Sequence, residues 1–317
     1  MKQKLNLWLE DYLFFPNSFQ KIISFLLLPL TFIYLAIIFI KRKISKKIDF
    51  GIPIISIGNL IIGGSGKTPI TIKLASKYKN AFIILRGYGR TSKGLQIVSL
   101  NGKILVDVKT SGDEAMLLAQ SLENASVIVS EDRIKAILRA KSLGAKIILL
   151  DDGFSKYKIS KFDILLKSKQ EPTNNFCIPS GGYREPKSFY KYANLVLCED
   201  KDFKRVVFIK KDDKITKLPQ NFILLTAISR PKRLLEFLPK NIKILVYPDH
   251  YSFTKNDIDT ILKKYKNFAI VTTQKDFVKL QEFNLGNIYL MDLSIEFSNI
   301  NVFDKLEDYI KKYYQRN

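Results

Sequence analysis

Between an apolar run at residues 52–57 and a helix-like stretch at residues 69–79, the chain reads Gly63-Gly64-Ser65-Gly66-Lys67-Thr68. Few sequence features restrict a fold so tightly. Glycines let the backbone curl until successive N–H groups face one point. A helix that starts there adds its partial positive charge. Lys67 is placed to reach the β- and γ-phosphates of a nucleotide, and Thr68 to hold Mg²⁺. The standard pattern has glycine five residues before Gly66, where this chain has Ile61. The strand–loop–helix setting still marks a phosphate loop.

Such a loop needs an acidic partner. Residues 147–150, Ile-Ile-Leu-Leu, read as a buried strand from whose end Asp151 and Asp152 emerge. A carboxylate there orders Mg²⁺ directly or through water. Partitioning ATPases of the membrane carry an additional lysine at the start of the loop, but here that position is Ile62. That class is therefore disfavoured.

Strand-like and helix-like stretches alternate from residue 48 to about residue 200, which implies a P-loop core with a mostly parallel, covered sheet. Strands are expected at 52–57, 81–85, 126–130, 146–150, 162–166 and 195–197, and helices at 69–79, 114–122 and 131–143. A second, smaller α/β unit follows, with strands at 222–227, 242–246 and 268–272. Its expected helices are 230–237, 255–265, 276–280 and 302–314. The Lys-rich stretch 210–217 is the expected linker. The division is thus 1–47, 48–209 and 210–317.

The first of these regions is set by a 19-residue uncharged run, Ile22–Ile40, followed by Lys41, Arg42, Lys43, Lys46 and Lys47. As one helix it would reach about 28 Å, close to the hydrocarbon thickness of a bilayer. A secretory signal carries its positive charge in front, so cleavage is not expected. The basic cluster behind the run keeps the rest of the chain on the cytoplasmic side. Trp8, Phe14, Phe15 and Phe19 suit an interfacial position, so spanning and lying in the interface both stay open.

Net charge is +22 with 52 Lys and Arg. This suits an anionic partner, although solvated surface lysine explains it equally well. No recognition-helix or RNA-binding aromatic pattern is present, so nucleic acid is not expected. The two cysteines, Cys177 and Cys198, lie in no CxxC pair, which disfavours a cysteine zinc site.

In order along the chain stand Gly58-Asn59 before Gly63–Pro69, Arg86-Gly87-Tyr88-Gly89-Arg90, Gly112-Asp113-Glu114 and Glu131-Asp132-Arg133. Then come Asp151-Asp152-Gly153-Phe154, Pro179-Ser180-Gly181, Arg184-Glu185-Pro186, Ser229-Arg230-Pro231, Asp249-His250 and Thr272-Thr273 with Lys275-Asp276. In this order, behind an apolar N-terminal segment, the chain resembles the tetraacyldisaccharide 4′-kinase family, the lipid A kinases of Gram-negative bacteria. The resemblance implies transfer of the ATP γ-phosphate to the 4′-hydroxyl of a membrane-held tetraacyldisaccharide 1-phosphate, at the inner membrane. It implies ATP and Mg²⁺ as cofactors, and a site between two α/β domains. A monomer is expected.

The resemblance also implies roles. Asp113 is the expected base for the acceptor hydroxyl, supported by His250, the only histidine in the chain. Lys67 and Arg184 are expected to stabilise charge on the transferring group. Gly63, Gly64, Ser65, Gly66, Lys67, Thr68, Arg133 and Lys275 are the expected nucleotide contacts, with Arg86 and Arg90 as further phosphate contacts. Thr68, Asp151, Asp152 and Glu185 are the expected Mg²⁺ set. The chain departs from the family at Ser155-Lys156, where Gln-His is usual, at Tyr251 and at Gln274. A regulatory ATPase without a lipid acceptor is the alternative reading.

Overall fold

The computed structural model describes residues 2–63 and 66–315. Three helices come first: α1 (Lys2–Phe14), α2 (Ser18–Leu26) and α3 (Leu28–Ile44). The next elements are β1 (Ile54–Gly58), α4 (Lys67–Ala75), β2 (Ala81–Leu85), β3 (Gln96–Leu100), β4 (Lys103–Ile104), α5 (Val108–Ser111) and α6 (Asp113–Ser121). They continue with β5 (Ala125–Val129), α7 (Arg133–Ser142), β6 (Ile147–Asp151), β7 (Phe162–Lys167) and β8 (Leu195–Cys198). The second unit holds β9 (Phe203–Lys211), β10 (Lys214–Ile215), β11 (Phe222–Thr226), β12 (Lys243–Val246), α8 (Lys255–Lys264), β13 (Ala269–Thr273), α9 (Gln274–Leu280) and β14 (Ile288–Phe297). Helix α10 (Asp304–Tyr314) follows, and Pro231–Phe237 forms a 3₁₀ helix.

The first sheet has eight strands in the order β4-β3-β5-β2-β6-β1-β7-β8. From β5 to β8 every pairing is parallel. Strands β1, β2, β5 and β6 are buried at every residue, as expected when helices cover both faces. Local chemistry sets the helix starts. Helix α7 begins at Arg133, two residues later than expected, because Asp132 caps it by accepting from the N–H groups of Ile134 and Lys135. The second sheet has six strands, β10-β9-β14-β13-β11-β12, parallel from β14 to β12.

Two differences from the sequence expectation matter. Residues 210–217 are not a linker: they finish β9 and make the β9–β10 hairpin. The sheets part instead at residues 199–202, before β9. That strand then runs antiparallel to β14 through eight consecutive pairs, Phe203↔Phe297 to Lys210↔Leu290. Residues beyond β14 return to the first unit. Phe303, Leu306 and Ile310 pack in one cluster with Ile55, Ile57 and Phe162, and Tyr309 Oη donates to the Ile54 carbonyl at 3.2 Å. Leu306 is fully buried there. Leu306→Ala is expected to cost about 2–5 kcal/mol, read as a lower denaturant midpoint. A loss under about 1 kcal/mol would remove α10 from the core.

The 19-residue apolar run is also not one helix. It breaks at Leu27, where α2 and α3 meet at 56°, and among the described residues no single helix is long and apolar enough to cross a membrane. Pro29, in the first turn of α3, has no N–H for the preceding turn, and its ring crowds that turn's carbonyls. Gln20, Ser24 and Thr31 of this segment are buried, whereas Phe19, Ile22, Phe25, Leu26, Leu30, Phe32, Ile33, Ile37 and Ile40 are exposed. Gln20, Ser24 and Thr31 thus face the protein together with Ile38, while most of the apolar residues face outward, the reverse of an ordinary surface helix. Thr31 Oγ1 donates to Ser180 Oγ at 2.7 Å and Tyr34 Oη to the Arg184 carbonyl at 2.6 Å. Helix α3 therefore braces the segment that carries Arg184.

Candidate active site

Strands β1 and β6 are parallel neighbours, with Ile57 opposite Asp151. Their carboxyl ends bring the glycine loop and the Asp151-Asp152 pair together, at the edge where open α/β sheets bind ligands. The Asp152 N–H donates to the Ile57 carbonyl at 2.9 Å, and its φ is 53°. A left-handed non-glycine residue at such a place is strain held by its surroundings. Arg184 does the holding: Nη1 and Nη2 each donate to the Asp152 carboxylate at 2.7 Å. Arg184 Nη2 also reaches Asn59 Oδ1 at 2.6 Å, and Lys67 Nζ donates to the same oxygen at 3.1 Å. Lys67 Nζ lies 3.8 Å from Asp152.

The two carboxylates are driven apart. Burial acts to raise Asp152, but Lys67 and Arg184 outweigh it and hold that carboxyl well below the usual range. Asp151 goes the other way: burial and then Glu114 raise it, against the pull of Lys67 and Arg133, to about 7. Its Oδ1 is buried without a hydrogen-bond partner among the described residues. Such an atom fits a missing cation.

Across the cleft lies a second cluster. Asp113 opens α6, and His250 sits in the loop after β12. His250 Nδ1 lies 3.0 and 3.2 Å from the two Asp113 oxygens. His250 has φ 58°. Gly89 approaches it so closely that a Cβ there would lie 3.1 Å from the His250 Cβ, and the Gly89 φ of 74° is open to few other residues. Lys275 Nζ stands 3.0 Å from Asp249, 3.3 Å from His250 Nε2, 3.4 Å from Glu114 and 3.9 Å from Asp113. Lys279 Nζ lies 3.6 Å from Asp113 and 2.8 Å from Asp276. Burial acts to raise Asp113, but the His250 bond and the Lys275, His250 and Lys279 charges prevail, so its pKa is lowered. Burial acts to lower His250, but the Asp113 bond prevails over that and over Lys275, so its pKa is raised. The pair favours carboxylate and imidazolium.

The cleft between the clusters has a volume of about 310 Å³ and is lined by both units, the size of a small-ligand site. Of the residues singled out in the sequence, Gly63, Gly66, Lys67, Thr68, Arg86, Arg133, Asp151, Asp152, Arg184, His250 and Lys275 line it. Asp113 reaches it through His250. Gly64 and Ser65 lie outside the described residues. Glu185 does not line the cleft: it is buried behind Arg184, and burial pushes it up to about 7 against the Tyr157 hydroxyl, Arg184 and Arg42. Arg90 is turned away, tied to Glu131 and to the Gly94 carbonyl at 2.6 Å. Lys275 is engaged with the Asp113 cluster. Asn59, Glu114, Arg205 and Arg230 also serve this region, without a role assigned from sequence. Asn59, Glu114 and Arg230 had a signal in the matched motifs, whereas Arg205 had none.

Paired carboxylates beside a strand–loop–helix, facing a buried Asp113 with its His250 partner, make the arrangement of a P-loop phosphotransferase. The sequence profile of the tetraacyldisaccharide-1-P 4′-kinase family matches residues 23–311, and the chain belongs to that family. Tetraacyldisaccharide 4′-kinase of Aliarcobacter butzleri is 72% identical over 313 residues, covering 99% of this chain and 100% of the relative. The enzyme of that name from Helicobacter pylori is 45% identical over 307 residues, 96% of each chain. The crystal structure of "apo" form LpxK from Aquifex aeolicus in complex with ATP superposes with a TM-score of 0.73 at 29% identity, over 92% of this chain and 99% of that one.

Proposed function

We propose that this chain transfers the γ-phosphate of ATP to the 4′-hydroxyl of tetraacyldisaccharide 1-phosphate, giving the lipid IVA intermediate of lipid A synthesis. The observation that carries it is the Asp113–His250 pair across the cleft from Lys67, in a chain of this family. Asp113 accepts the hydroxyl proton while the new P–O bond forms and the bond from the γ-phosphorus to the β,γ-bridging oxygen breaks. The electron pair of that bond leaves on ADP. His250, as imidazolium, orients the carboxylate. Lys67 and Arg184 balance charge on the transferring group. Because Asp113 and His250 come from different units, the base is complete only when both are in place.

The residues present fit Mg²⁺. Among the described residues no three acidic or imidazole side chains are set to hold a metal by themselves. Mg²⁺ suits such a site because it keeps waters and takes oxygens from substrate phosphates. Thr68, Asp151 and Asp152 would hold it, with Glu114 in place of Glu185. The ion supplies charge neutralisation on the phosphates.

The outward apolar face of α2 and α3 supports docking on the inner membrane from the cytoplasmic side, beside the lipid substrate. A monomer suffices, since one chain supplies both clusters. The two units joined at β9 are then the kinase core and a smaller second domain. Phe25, Phe32 and Ile33 are each about 60% exposed or more. Changing all three to Ser is expected to weaken vesicle binding by at least about tenfold, measured by flotation. Undiminished flotation would locate the contact elsewhere.

The deciding experiment supplies purified protein in detergent with Mg²⁺, γ-labelled ATP and tetraacyldisaccharide 1-phosphate. Label on the lipid is the expected result. ATP hydrolysis with no labelled lipid would replace the kinase by a regulatory ATPase.

A further inference from the structure

One buried cation lies against the phosphate loop with no role in the chemistry above. Arg205 stands on β9, the strand that leaves the first sheet for the second, opposite Ile295 of β14. Its side chain is 10% exposed. Its Nη2 lies 3.4 Å from where a Cβ on Gly66 would sit, and Gly66 is the N-cap of α4. A helix N-terminus repels a cation and attracts an anion. Lys67, in the first turn of the same helix, adds to the repulsion.

The local partner is Glu199. Arg205 Nε lies 2.7 Å from Glu199 Oε1 and Nη2 3.5 Å from Oε2, while Arg233 Nη2 donates to the same carboxylate at 2.9 Å. Burial, then Arg233, push Arg205 down to about 10 against the pull of Glu199. Glu199 thus holds the Nε–Nη2 edge of the guanidinium, and Nη2, the atom nearest Gly66, carries a second N–H beyond the one directed at Glu199. A guanidinium beside a helix N-terminus is unfavourably placed on charge alone. It becomes well placed once a phosphate lies there, because both sides then donate to the anion.

The same ribbon continues the site. Val207, Met291 and Leu293, with Leu234 and Phe237 of the 3₁₀ helix, line the apolar part of the cleft. Arg205 stands between this wall and the loop, which matches the order of apolar base and charged phosphates along a nucleotide. We propose that Arg205 is a nucleotide-phosphate ligand of this kinase, gripping the triphosphate from the connecting strand while the loop and Lys67 hold it from the other side. The proposal rests on the kinase reading only in requiring ATP.

Arg205→Ala and Arg205→Lys in the full-length protein test it. Mg-ATP binding is measured by calorimetry in detergent, and the KM values for ATP and lipid acceptor by label transfer. Arg205→Ala is expected to weaken ATP binding about tenfold or more, the scale of a charge-assisted contact. The lipid KM and the melting temperature without nucleotide stay near wild type, and Arg205→Lys recovers part of the loss. ATP affinity equal to wild type in Arg205→Ala overturns the proposal, and a lowered melting temperature beside it makes Arg205 a structural ion-pair residue only. If Arg205→Ala fails to fold, Arg205→Gln and Arg205→Lys carry the same comparison. Wild type that binds ATP but labels no lipid defeats the kinase reading and leaves this proposal standing. Wild type that binds no ATP defeats both.

Discussion

Asp113→Asn is expected to abolish most phosphoryl transfer and leave ATP binding nearly intact. A positioned base contributes about 10²–10⁴-fold, so kcat falls by that factor. The amide keeps the size of the carboxylate but cannot take the proton. The Lys67 side of the cleft is untouched, so ATP affinity stays within about twofold of wild type, since only a phosphate contact would move it further. A second readout separates the base from a mere structural acid. His250 is raised by its bond to Asp113, so the folded pKa exceeds the unfolded value of about 6.5. The contact therefore stabilises the protein fully below about pH 6.5 and is lost as pH rises through the folded value. Asp113→Asn removes that pH dependence and returns the His250 resonance toward or below its ordinary midpoint, followed by NMR titration. Retained kcat would assign the proton to another group.

Lys67→Ala is the second large effect, and it differs in reaching ATP binding as well as rate. Lys67 Nζ is held by Asn59 Oδ1 at 3.1 Å and lies 3.8 Å from Asp152, so it is aimed before any phosphate arrives. Loss of a pre-aimed donor costs about 10²–10³-fold in rate, and here it weakens ATP binding as well. Asp152 keeps its two Arg184 bonds, so the fold survives. The double variant Asp113→Asn/Lys67→Ala is expected to be little worse than the poorer single one, because residues that act as a unit are not additive. Losses that multiply would mean that the two clusters act independently. Single-turnover label transfer and ATP binding, run side by side, measure both effects.

The first sheet was legible because β1, β2, β5 and β6 are short apolar runs buried on both faces, with turn residues between them. Strands β9 and β14 were not. Lys204, Arg205, Lys210 and Lys211 interrupt one, and Asp292 and Glu296 the other. Their pairing joins residues about 80–95 positions apart, which no local pattern encodes. The bend at Leu27 was legible in Pro29, whereas its 56° angle depends on how α2 and α3 pack. Lys67, Asp151, Asp152, Asp113 and His250 were legible through ordered motifs. Arg205 was one of 52 basic residues, and only the fold brings it to Gly66. Glu185 lies one backbone step from Arg184, so its side chain turns inward while Arg184 lines the cleft, which spacing alone does not encode.

The return of residues 303–313 to the first core sets an order of assembly. Synthesis runs from the N-terminus, so β1 to β8 are made long before Phe303, Leu306 and Ile310, which share their core. Until then the part of the sheet face around Ile55, Ile57 and Phe162 is covered only by what α4 and α6 reach, and the whole second unit must be made in between. The growing chain meanwhile carries the bare apolar face of α2 and α3. Two sticky surfaces therefore coexist during biogenesis, one lasting and one temporary. Covering either one during synthesis lowers the chance that the exposed patches of neighbouring chains find each other.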